Sequence, residues 1–258
     1  KLFQISFSIL DFNLIKMKSY LHLLFCLLLL ATSNCKNQTP QKKESKKAMP
    51  EWQNLVTPNT FEGWHIYQDD GTKAGWNVEN EVFTFNSDLA KGEGDKSLIT
   101  DETFTNFEIK FEWMVSDQSN SGFMWGVNEE KNYEFPYETG PEIQIIDPEV
   151  YLGDEKNQIH TAGALYDMIA PSSLVTLPAG QWNRYHITIN HKVNEGIVVH
   201  NGVEINRFPL HGPKWDAMVA DSKFAEWEGF GKFPTGSICL QDHPGVIAFR
   251  NIKIMRLP

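Results

Sequence analysis

The chain has 258 residues, of which 41% are hydrophobic, and this is enough to bury a substantial core. Its formal net charge is −10, and because residues 1–48 hold eight lysines against two acidic residues, a net of +6, residues 49–258 carry −16. A domain this acidic would repel phosphate backbones, which argues against a nucleic-acid partner. The three cysteines, Cys26, Cys35 and Cys239, do not support a disulfide framework.

The N-terminal stretch is typical of an export signal. Lys18 precedes an apolar run at residues 21–30, which is too short to span a bilayer as a permanent helix. Residues 31–35 (ATSNC) are similar to a bacterial lipoprotein cleavage box, in which the cysteine becomes lipidated. We therefore expect residues 1–34 to be an upstream stretch and signal peptide. Cys35 would carry a lipid anchor as the only membrane contact, and plain secretion is the alternative.

Residues 35–48 are polar and basic and have no apolar period, so they are expected to form a disordered tether. The folded domain is predicted at residues 49–258, without an internal repeat or a second domain. The expected location is the periplasm or the outer membrane of a bacterium, held there by the anchor.

Residues 49–258 contain many short apolar segments separated by Gly, Pro and Asn turns. The segment Phe107–Val115 places five apolar side chains on one face in strict alternation, as a half-buried strand does. Asn201 and Gly202 stand between two apolar runs, which is a strong hairpin signal. A helical period is confined to a short piece around residues 215–224. This pattern predicts an all-β fold in which two sheets pack as a β-sandwich.

The segment 142–147 (EIQIID) is the strand on which a site is expected. Its alternation turns two isoleucines toward a core and Glu142 and Gln144 toward solvent or a cleft. A one-residue bulge near the end of the strand would bring Asp147 to the same open face, and bulges are frequent next to active sites. An edge strand with a solvated face is the alternative interpretation.

Several segments occur together in the order and at the spacing of a known family. They are residues 63–64 (GW), 120–126 (NSGFMWG), 142–147 (EIQIID), 160–166 (HTAGALY) with 170–171 (AP), 181–183 (QWN), 222–224 (SKF), 236–243 (GSICLQDH) and 249–252 (FRNI). Over residues 50–258 the chain resembles the 3-keto-disaccharide hydrolase family. That resemblance implies a concanavalin-like jelly roll, as in laminarinase-type glycoside hydrolases, with a ligand cleft on the concave sheet. It also implies an exported bacterial enzyme that cleaves glycosides whose sugar is oxidised to a ketone at carbon 3.

Laminarinase-type enzymes carry Glu-x-Asp-x-x-Glu on a concave strand, and this chain has Glu142-x-Gln144-x-x-Asp147 in its place. A neutral Gln and a short Asp weaken ordinary hydrolysis by two carboxylates. A ketone at carbon 3 acidifies the proton on carbon 2, so that a base can remove it and the enolate can expel the group on carbon 1. Adding water to the resulting enone completes net hydrolysis. Such a site needs a base, a cation or hydrogen-bond donor at the enolate oxygen, and an acid.

The matched segments supply these residue types. The candidate catalytic residues are Glu142, Asp147, His160 and Lys223, and the candidate substrate-binding residues are Gln144, Tyr166, Asn120, Arg250 and His243. His160 and Tyr166 share parity along a predicted strand at residues 160–166 and can face one cleft. Each candidate also has a structural interpretation. Lys223 could form a surface ion pair, and Arg250 could pin a buried carboxylate. His243 could cap a turn, Asn120 could belong to a turn, and His160 could be structural.

No His, Cys or Asp cluster has zinc spacing, so we expect no metal and no cofactor, although a hard cation such as calcium stays open. The expected partner is an oxidised oligosaccharide or glycoside. Two other functions stay open. One is a carbohydrate-binding module on the same sandwich, which holds glycans without cutting them. The other is an ordinary laminarinase-like glycosidase that acts on unoxidised glucans.

Overall fold

A computed structural model of the chain describes residues 50–69, 75–92 and 94–258. The folded unit extends from Met49 to Pro258. The predicted signal peptide, Cys35 and the basic tether lie outside the described residues. Within the part described, no helix is long and apolar enough to cross a membrane.

The described residues form thirteen strands in two antiparallel sheets. The order of the larger sheet is β11 (Val203–Phe208), β10 (Glu195–His200), β9 (Asn183–Asn190), β6 (Phe107–Val115), β13 (Val246–Arg256), β4 (Val82–Asn86) and β3 (Trp76–Glu79), with β1 (Gln53–Asn54) also on β13. The order of the smaller sheet is β2 (Trp64–Ile66), β5 (Leu98–Thr100), β12 (Ser237–Leu240), β7 (Asn120–Val127) and β8 (Glu142–Ile146). Helix α1 spans Pro213–Ala220, and short 3-10 helices span Ser87–Leu89, Pro136–Glu138, Pro148–Tyr151 and Glu155–His160.

The two sheets pack face to face over one aromatic-rich core, which confirms the predicted β-sandwich. Strand β6 buries every second side chain, and the largest of these is the fully buried Trp113. From the smaller sheet, Phe123, Ile143 and Ile145 enter the same core. Because β5, β6 and β7 alternate between the sheets, as do β11, β12 and β13, the connections cross the sandwich in the manner of a jelly roll.

The hairpin predicted at Asn201 and Gly202 is confirmed. Strands β10 and β11 pair antiparallel around these two residues, which have φ values of 48° and 88°. Positive φ at both positions is the geometry of a type I′ turn, which Asn-Gly adopts at little steric cost. The turn joins the last two strands at one edge of the larger sheet.

The outer face of the smaller sheet, turned away from the larger sheet, positions the site. Met124, Ile99 and Cys239 form a small apolar cluster on this face, separate from the main core. The free edge of β8 is covered by the following loop, because Tyr166 N–H donates to the Glu142 carbonyl at 3.0 Å and Gln144 N–H donates to the Ala164 carbonyl at 3.0 Å. The loop therefore extends the floor of this face beyond β8.

Candidate active site

A cavity of about 510 Å³ opens on the outer face of the smaller sheet, and we call it the site cavity. Clefts of this size are typical of small-molecule sites. It lies over β12, β7 and β8, and loops from three other parts of the chain form its walls. Its polar lining comprises Asp95, Asn120, Glu142, Gln144, Tyr166, Lys223, Gln241, Asp242 and His243. Six of these nine are candidates named from the sequence, and Asp95, Gln241 and Asp242 are not.

Glu142, the first residue of β8, contributes a buried carboxyl to the floor of the site cavity. The residue is 8% exposed, and its carboxyl has no hydrogen-bond partner among the described residues. Burial raises the pKa of Glu142 to about 8, and the positive charge of Lys223 opposes that rise only in part. A carboxyl with a raised pKa at the floor of a cavity is typical of a reacting or ligand-binding group.

Gly122 on β7 makes the position of Glu142 possible. It pairs with Gln144, and the Glu142 side chain lies across it. A Cβ at residue 122 would come within 2.6 Å of Glu142 Cδ, far inside the normal distance between non-bonded carbons. Gly122 is needed here for the close approach of the carboxyl and not for an unusual backbone conformation.

Lys223 brings a positive charge to the same end of the site cavity. Its Nζ lies 4.3 Å from the centroid of the Tyr166 ring, and its backbone N–H donates to Asp167 Oδ2 at 2.7 Å. Burial raises the pKa of Tyr166 to about 12, and the nearby charge of Glu142 adds to the rise. Lys223, Tyr166 and Glu142 therefore form one electrostatic group around a neutral phenol.

A second acidic group, the carboxyl pair Asp95 and Asp242, lies at the β5 and β12 side of the site cavity. Ser97, which is fully buried, connects the two residues. Its N–H donates to Asp95 Oδ1 at 2.7 Å, and its hydroxyl donates to Asp242 Oδ1 at 2.8 Å. Burial and the charge of Asp242 together raise the pKa of Asp95 to about 7, although the hydrogen bonds from Ser97 oppose that rise. Asp95 therefore keeps a proton more readily than an ordinary aspartate, beside a second carboxyl.

Another part of the lining is an aromatic wall formed by Phe135, Tyr137, Phe224 and Trp227. The rings of Phe135 and Tyr137 are nearly parallel, 7° apart in orientation and 5.0 Å between centroids. Trp227 contacts Tyr137 at 5.7 Å and Phe224 at 5.1 Å. Exposed aromatic faces beside hydrogen-bonding groups are suited to binding a sugar ring or an apolar leaving group.

Three other polar residues complete the lining. Gln144 is 1% exposed, and its amide Nε2 donates to the His160 carbonyl at 3.2 Å. Asn120 Nδ2 lies 3.3 Å from His243 Nε2, while Asn120 Oδ1 is buried without a hydrogen-bond partner in the described part of the chain. Burial lowers the pKa of His243, which favours a neutral imidazole, and Asp242 opposes this shift. All three can form hydrogen bonds to sugar hydroxyls.

The placement predicted for Asp147 is wrong. Strands β7 and β8 pair in regular register from Met124–Glu142 to Asn120–Ile146, without the expected bulge. Asp147 is 1% exposed and accepts the backbone N–H groups of Gln118 at 2.8 Å and Glu149 at 3.2 Å. Its carboxylate caps the 3-10 helix Pro148–Tyr151 and does not line the site cavity.

The strand predicted at residues 160–166 does not form, and this changes the position of His160. A series of turns replaces the strand, with only an isolated bridge at Leu165. His160 ends the 3-10 helix Glu155–His160, where its Nε2 lies 2.8 Å from Asp167 Oδ1. Its ring contacts Tyr166, 4.9 Å between centroids, but it does not line the site cavity. It lies behind Tyr166, where contact with a ligand is indirect.

Arg250 is also far from the site cavity. It lies on the outer face of the larger sheet, where its Nε donates to Glu112 Oε2 at 2.7 Å. Its guanidinium lies 3.9 Å from the centroid of the Trp182 ring. Of the two interpretations of Arg250, an ion pair with a carboxylate agrees with these contacts, and substrate binding does not.

Sequence reasoning missed the carboxyl pair and the aromatic wall. Asp242 precedes the candidate His243 directly, so the strand end carried a usable signal. Asp95 lies in a loop whose sequence gives no indication that it meets Asp242. In the described part of the chain, no group of three or more His, Cys, Asp or Glu side chains is placed to hold a metal ion.

Comparison with known proteins gives consistent matches. Residues 51–255 match the family model for a 3-keto-alpha-glucoside-1,2-lyase-like domain. A 3-keto-disaccharide hydrolase from Bacteroides thetaiotaomicron is 31% identical over 223 residues, which span 76% of this chain and 74% of the relative. A crystal structure from Parabacteroides distasonis, provisionally assigned as a glycosyl hydrolase, is 28% identical with a TM-score of 0.72, covering 80% of this chain and 94% of that one. A second structure from that organism, at 23% identity and a TM-score of 0.58, shares the fold.

Proposed function

The chain belongs to the 3-keto-alpha-glucoside-1,2-lyase-like family and is a hydrolase of carbohydrates, and from this premise we propose that it cleaves 3-keto-glycosides by elimination and hydration. The observation that carries the proposal is the buried, unpartnered carboxyl of Glu142 in the site cavity, with Lys223 beside it. A carboxyl whose pKa is about 8 is a stronger base, once ionised, than an ordinary carboxylate.

Glu142 removes the proton from carbon 2, and the electron pair of that bond forms the enolate between carbons 2 and 3. Lys223 stabilises the negative charge on the enolate oxygen. That oxygen is bonded to carbon 3, which is adjacent to carbon 2, from which Glu142 removes the proton. The enolate collapses to the ketone and breaks the bond from carbon 1 to the glycosidic oxygen, which leaves with a proton as an alcohol. Water then adds its oxygen to carbon 1 and a hydrogen to carbon 2 of the enone.

The aromatic wall and the hydrogen-bonding lining suit the two halves of such a substrate. The sugar that carries the ketone binds over the polar floor, where Gln144, Asn120 and His243 face its hydroxyls. The leaving group binds along Tyr137 and Trp227. A sugar or an aryl group both have flat faces that stack on aromatic rings, so both fit this wall.

Ordinary hydrolysis of unoxidised glycosides is a second candidate function. One observation favours it: the carboxyl pair Asp95 and Asp242 lines the same cavity as Glu142. An inverting glycosidase uses two carboxyl groups on opposite sides of the sugar as its catalytic acid and base. A binding module without catalysis is a third candidate function. The buried Glu142 argues against it, because binding a sugar does not require a carboxyl with a raised pKa.

The decisive assay compares 4-nitrophenyl 3-keto-glucoside with 4-nitrophenyl glucoside and follows release of nitrophenolate by the purified protein. We expect release from the oxidised substrate alone, and abolition of it in Glu142→Gln. Deuterium at carbon 2 of the substrate should slow release with a primary isotope effect, since that bond breaks. Equal release from both substrates would establish the ordinary glycosidase, and binding without release would establish the module.

We also propose that the protein is exported and anchored by a lipid on Cys35, on the basis of residues 18–35 alone. In cells, Cys35→Ser should move the protein from the membrane fraction to the soluble fraction. Cys26→Ser, inside the apolar run, is the matched control and should leave it in the membrane fraction. A wild-type protein that already fractionates as soluble would refute the anchor.

A further inference from the structure

The carboxyl pair has a geometry that a structural role does not explain. Ser97 can satisfy its hydroxyl and its N–H with one acidic residue or with water, yet it holds two carboxyls against each other at the wall of a cavity. Two carboxyls in contact cannot both ionise readily, because like charges at this distance repel. The arrangement therefore keeps one proton beside one negative charge.

The pair lies across the site cavity from Glu142. Asp95 precedes β5 and Asp242 follows β12, while Glu142 begins β8, and the sheet order is β5, β12, β7, β8. Cys239 lies level with Met124 and Glu142, so Asp242 is three residues further along its strand. Together with the two strand spacings from β12 to β8, this puts the backbones of Asp242 and Glu142 roughly 14 Å apart, and both side chains line the cavity between them. A single pyranose ring fits between groups at this separation.

The order of the groups matches the order of atoms in the reaction. Lys223 lies next to Glu142, so the ketone on carbon 3 and the proton on carbon 2 lie at that side of the cavity. Carbons 1 and 3 are the two ring neighbours of carbon 2. With carbon 3 toward Lys223, the glycosidic oxygen on carbon 1 points away from Lys223, toward Asp95 and Asp242. Tyr137 of the aromatic wall lies close enough to both aspartates that their charges help raise its pKa to about 12.

Three neutral groups near the pair, Tyr137, Tyr67 and Cys239, are not proton donors of comparable acidity. Burial is the main cause of the raised pKa values of Tyr137, Tyr67 and Cys239, and the charge of Asp95 adds to each. These three groups stay neutral near pH 7 and are much weaker acids than a carboxyl. Lys96, the residue after Asp95, has interactions of its own and lines a neighbouring cavity together with Asp95.

We propose that the Asp95–Asp242 pair is the acid of the reaction and donates a proton to the departing glycosidic oxygen. The inference rests on the proposed function. In the elimination step, the bond from carbon 1 to oxygen breaks, the oxygen takes the proton, and the pair is left with both carboxylates ionised. In the hydration step the pair takes a proton from the water that adds to carbon 1, while Glu142 returns its proton to carbon 2. The pair and Glu142 thus regain their starting states.

The test compares two leaving groups. Methyl 3-keto-glucoside releases methanol and needs a proton, whereas 4-nitrophenyl 3-keto-glucoside releases a stable phenolate and needs almost none. For Asp95→Asn and Asp242→Asn, we expect kcat/KM to fall on the order of 10²-fold with the methyl substrate, in line with general acid catalysis. With the nitrophenyl substrate the loss should be less than about tenfold, since that anion leaves unaided. The retained activity also shows that each variant is folded.

Two further variants separate failure of the inference from failure of the proposed function. Glu142→Gln should lose activity on both substrates, because proton removal is needed whatever the leaving group. Asp101→Asn, a carboxyl paired with His65 outside the site cavity, should lose none. Equal losses on both substrates in the two pair variants, or no loss on either, would overturn the acid role. Full activity of Glu142→Gln would instead overturn the proposed function, and the inference with it.

Discussion

Gly122→Ala should impair catalysis without unfolding the protein. The new methyl group would stand within 2.6 Å of Glu142 Cδ, whereas non-bonded carbons prefer about 3.5 Å or more. The carboxyl must therefore move by about 1 Å, and it can do so because it is the end of a flexible side chain that faces an open cavity. A displacement of that size in a reacting group costs on the order of 10²-fold in rate.

The stability of Gly122→Ala should change little. Alanine in place of glycine restricts the unfolded chain, which stabilises the folded state by up to about 1 kcal/mol and offsets part of the local crowding. Gly196 on β10 provides a matched control. A Cβ there would come within 2.7 Å of the Phe208 ring, which is packed in the main core and cannot withdraw. Gly196→Ala should therefore lower the unfolding free energy by about 1–3 kcal/mol and leave kcat/KM unchanged.

The assay is kcat/KM on 4-nitrophenyl 3-keto-glucoside together with urea unfolding for each variant. A Gly122→Ala protein with wild-type kcat/KM would refute the reasoning that the carboxyl must lie across β7.

Three other measurements test the site. kcat/KM should follow a narrow bell with its maximum between about pH 7 and 8, because Glu142 must lose its proton (pKa about 8) while Asp95 must keep its own (pKa about 7). The free energy of unfolding of the wild type should fall as pH rises from 4.5, the ordinary pKa of Glu142, toward about 8, its pKa in the folded protein. Glu142→Gln lacks this loss, so urea unfolding should show it increasingly more stable than the wild type across that range, by roughly 3 kcal/mol at pH 7. Trp227→Ala should raise KM by up to about tenfold and leave kcat nearly unchanged, since stacking contributes 0.5–1.5 kcal/mol.

The sequence predicted the sandwich well because the relevant signals are local. Alternation along β6 and along residues 142–146 decides which side chains enter the core, and Asn201 with Gly202 specifies a hairpin. The same alternation placed Glu142 and Gln144 on the open face. These inferences needed only a period of two and a turn signature.

The errors lie where the outcome depends on contacts between distant segments. Asp147 was expected in the cleft, but the backbone N–H of Gln118 and the start of a 3-10 helix hold it outside. His160 was assigned by parity along a strand, but Gly163, with φ of 87°, breaks that segment into turns. The Asp95–Asp242 pair joins residues far apart in the chain, and neither is exceptional within its own segment.

Glu142 and Gln144 show how a reacting group differs from a binding group on one strand. Both are buried and both line the site cavity, and they differ only in that Gln144 has a carboxamide where Glu142 has a carboxyl. Gln144 donates to the His160 carbonyl and accepts from the Ile145 N–H, whereas Glu142 has no such partner in the described chain. A protein that only held sugars would gain by carrying a glutamine at both positions, because an amide binds hydroxyls without the cost of burying a charge. Because its pKa is raised, a carboxyl at 142 is expected to weaken the fold at neutral pH, but it can take up a proton, which a glutamine there could not do.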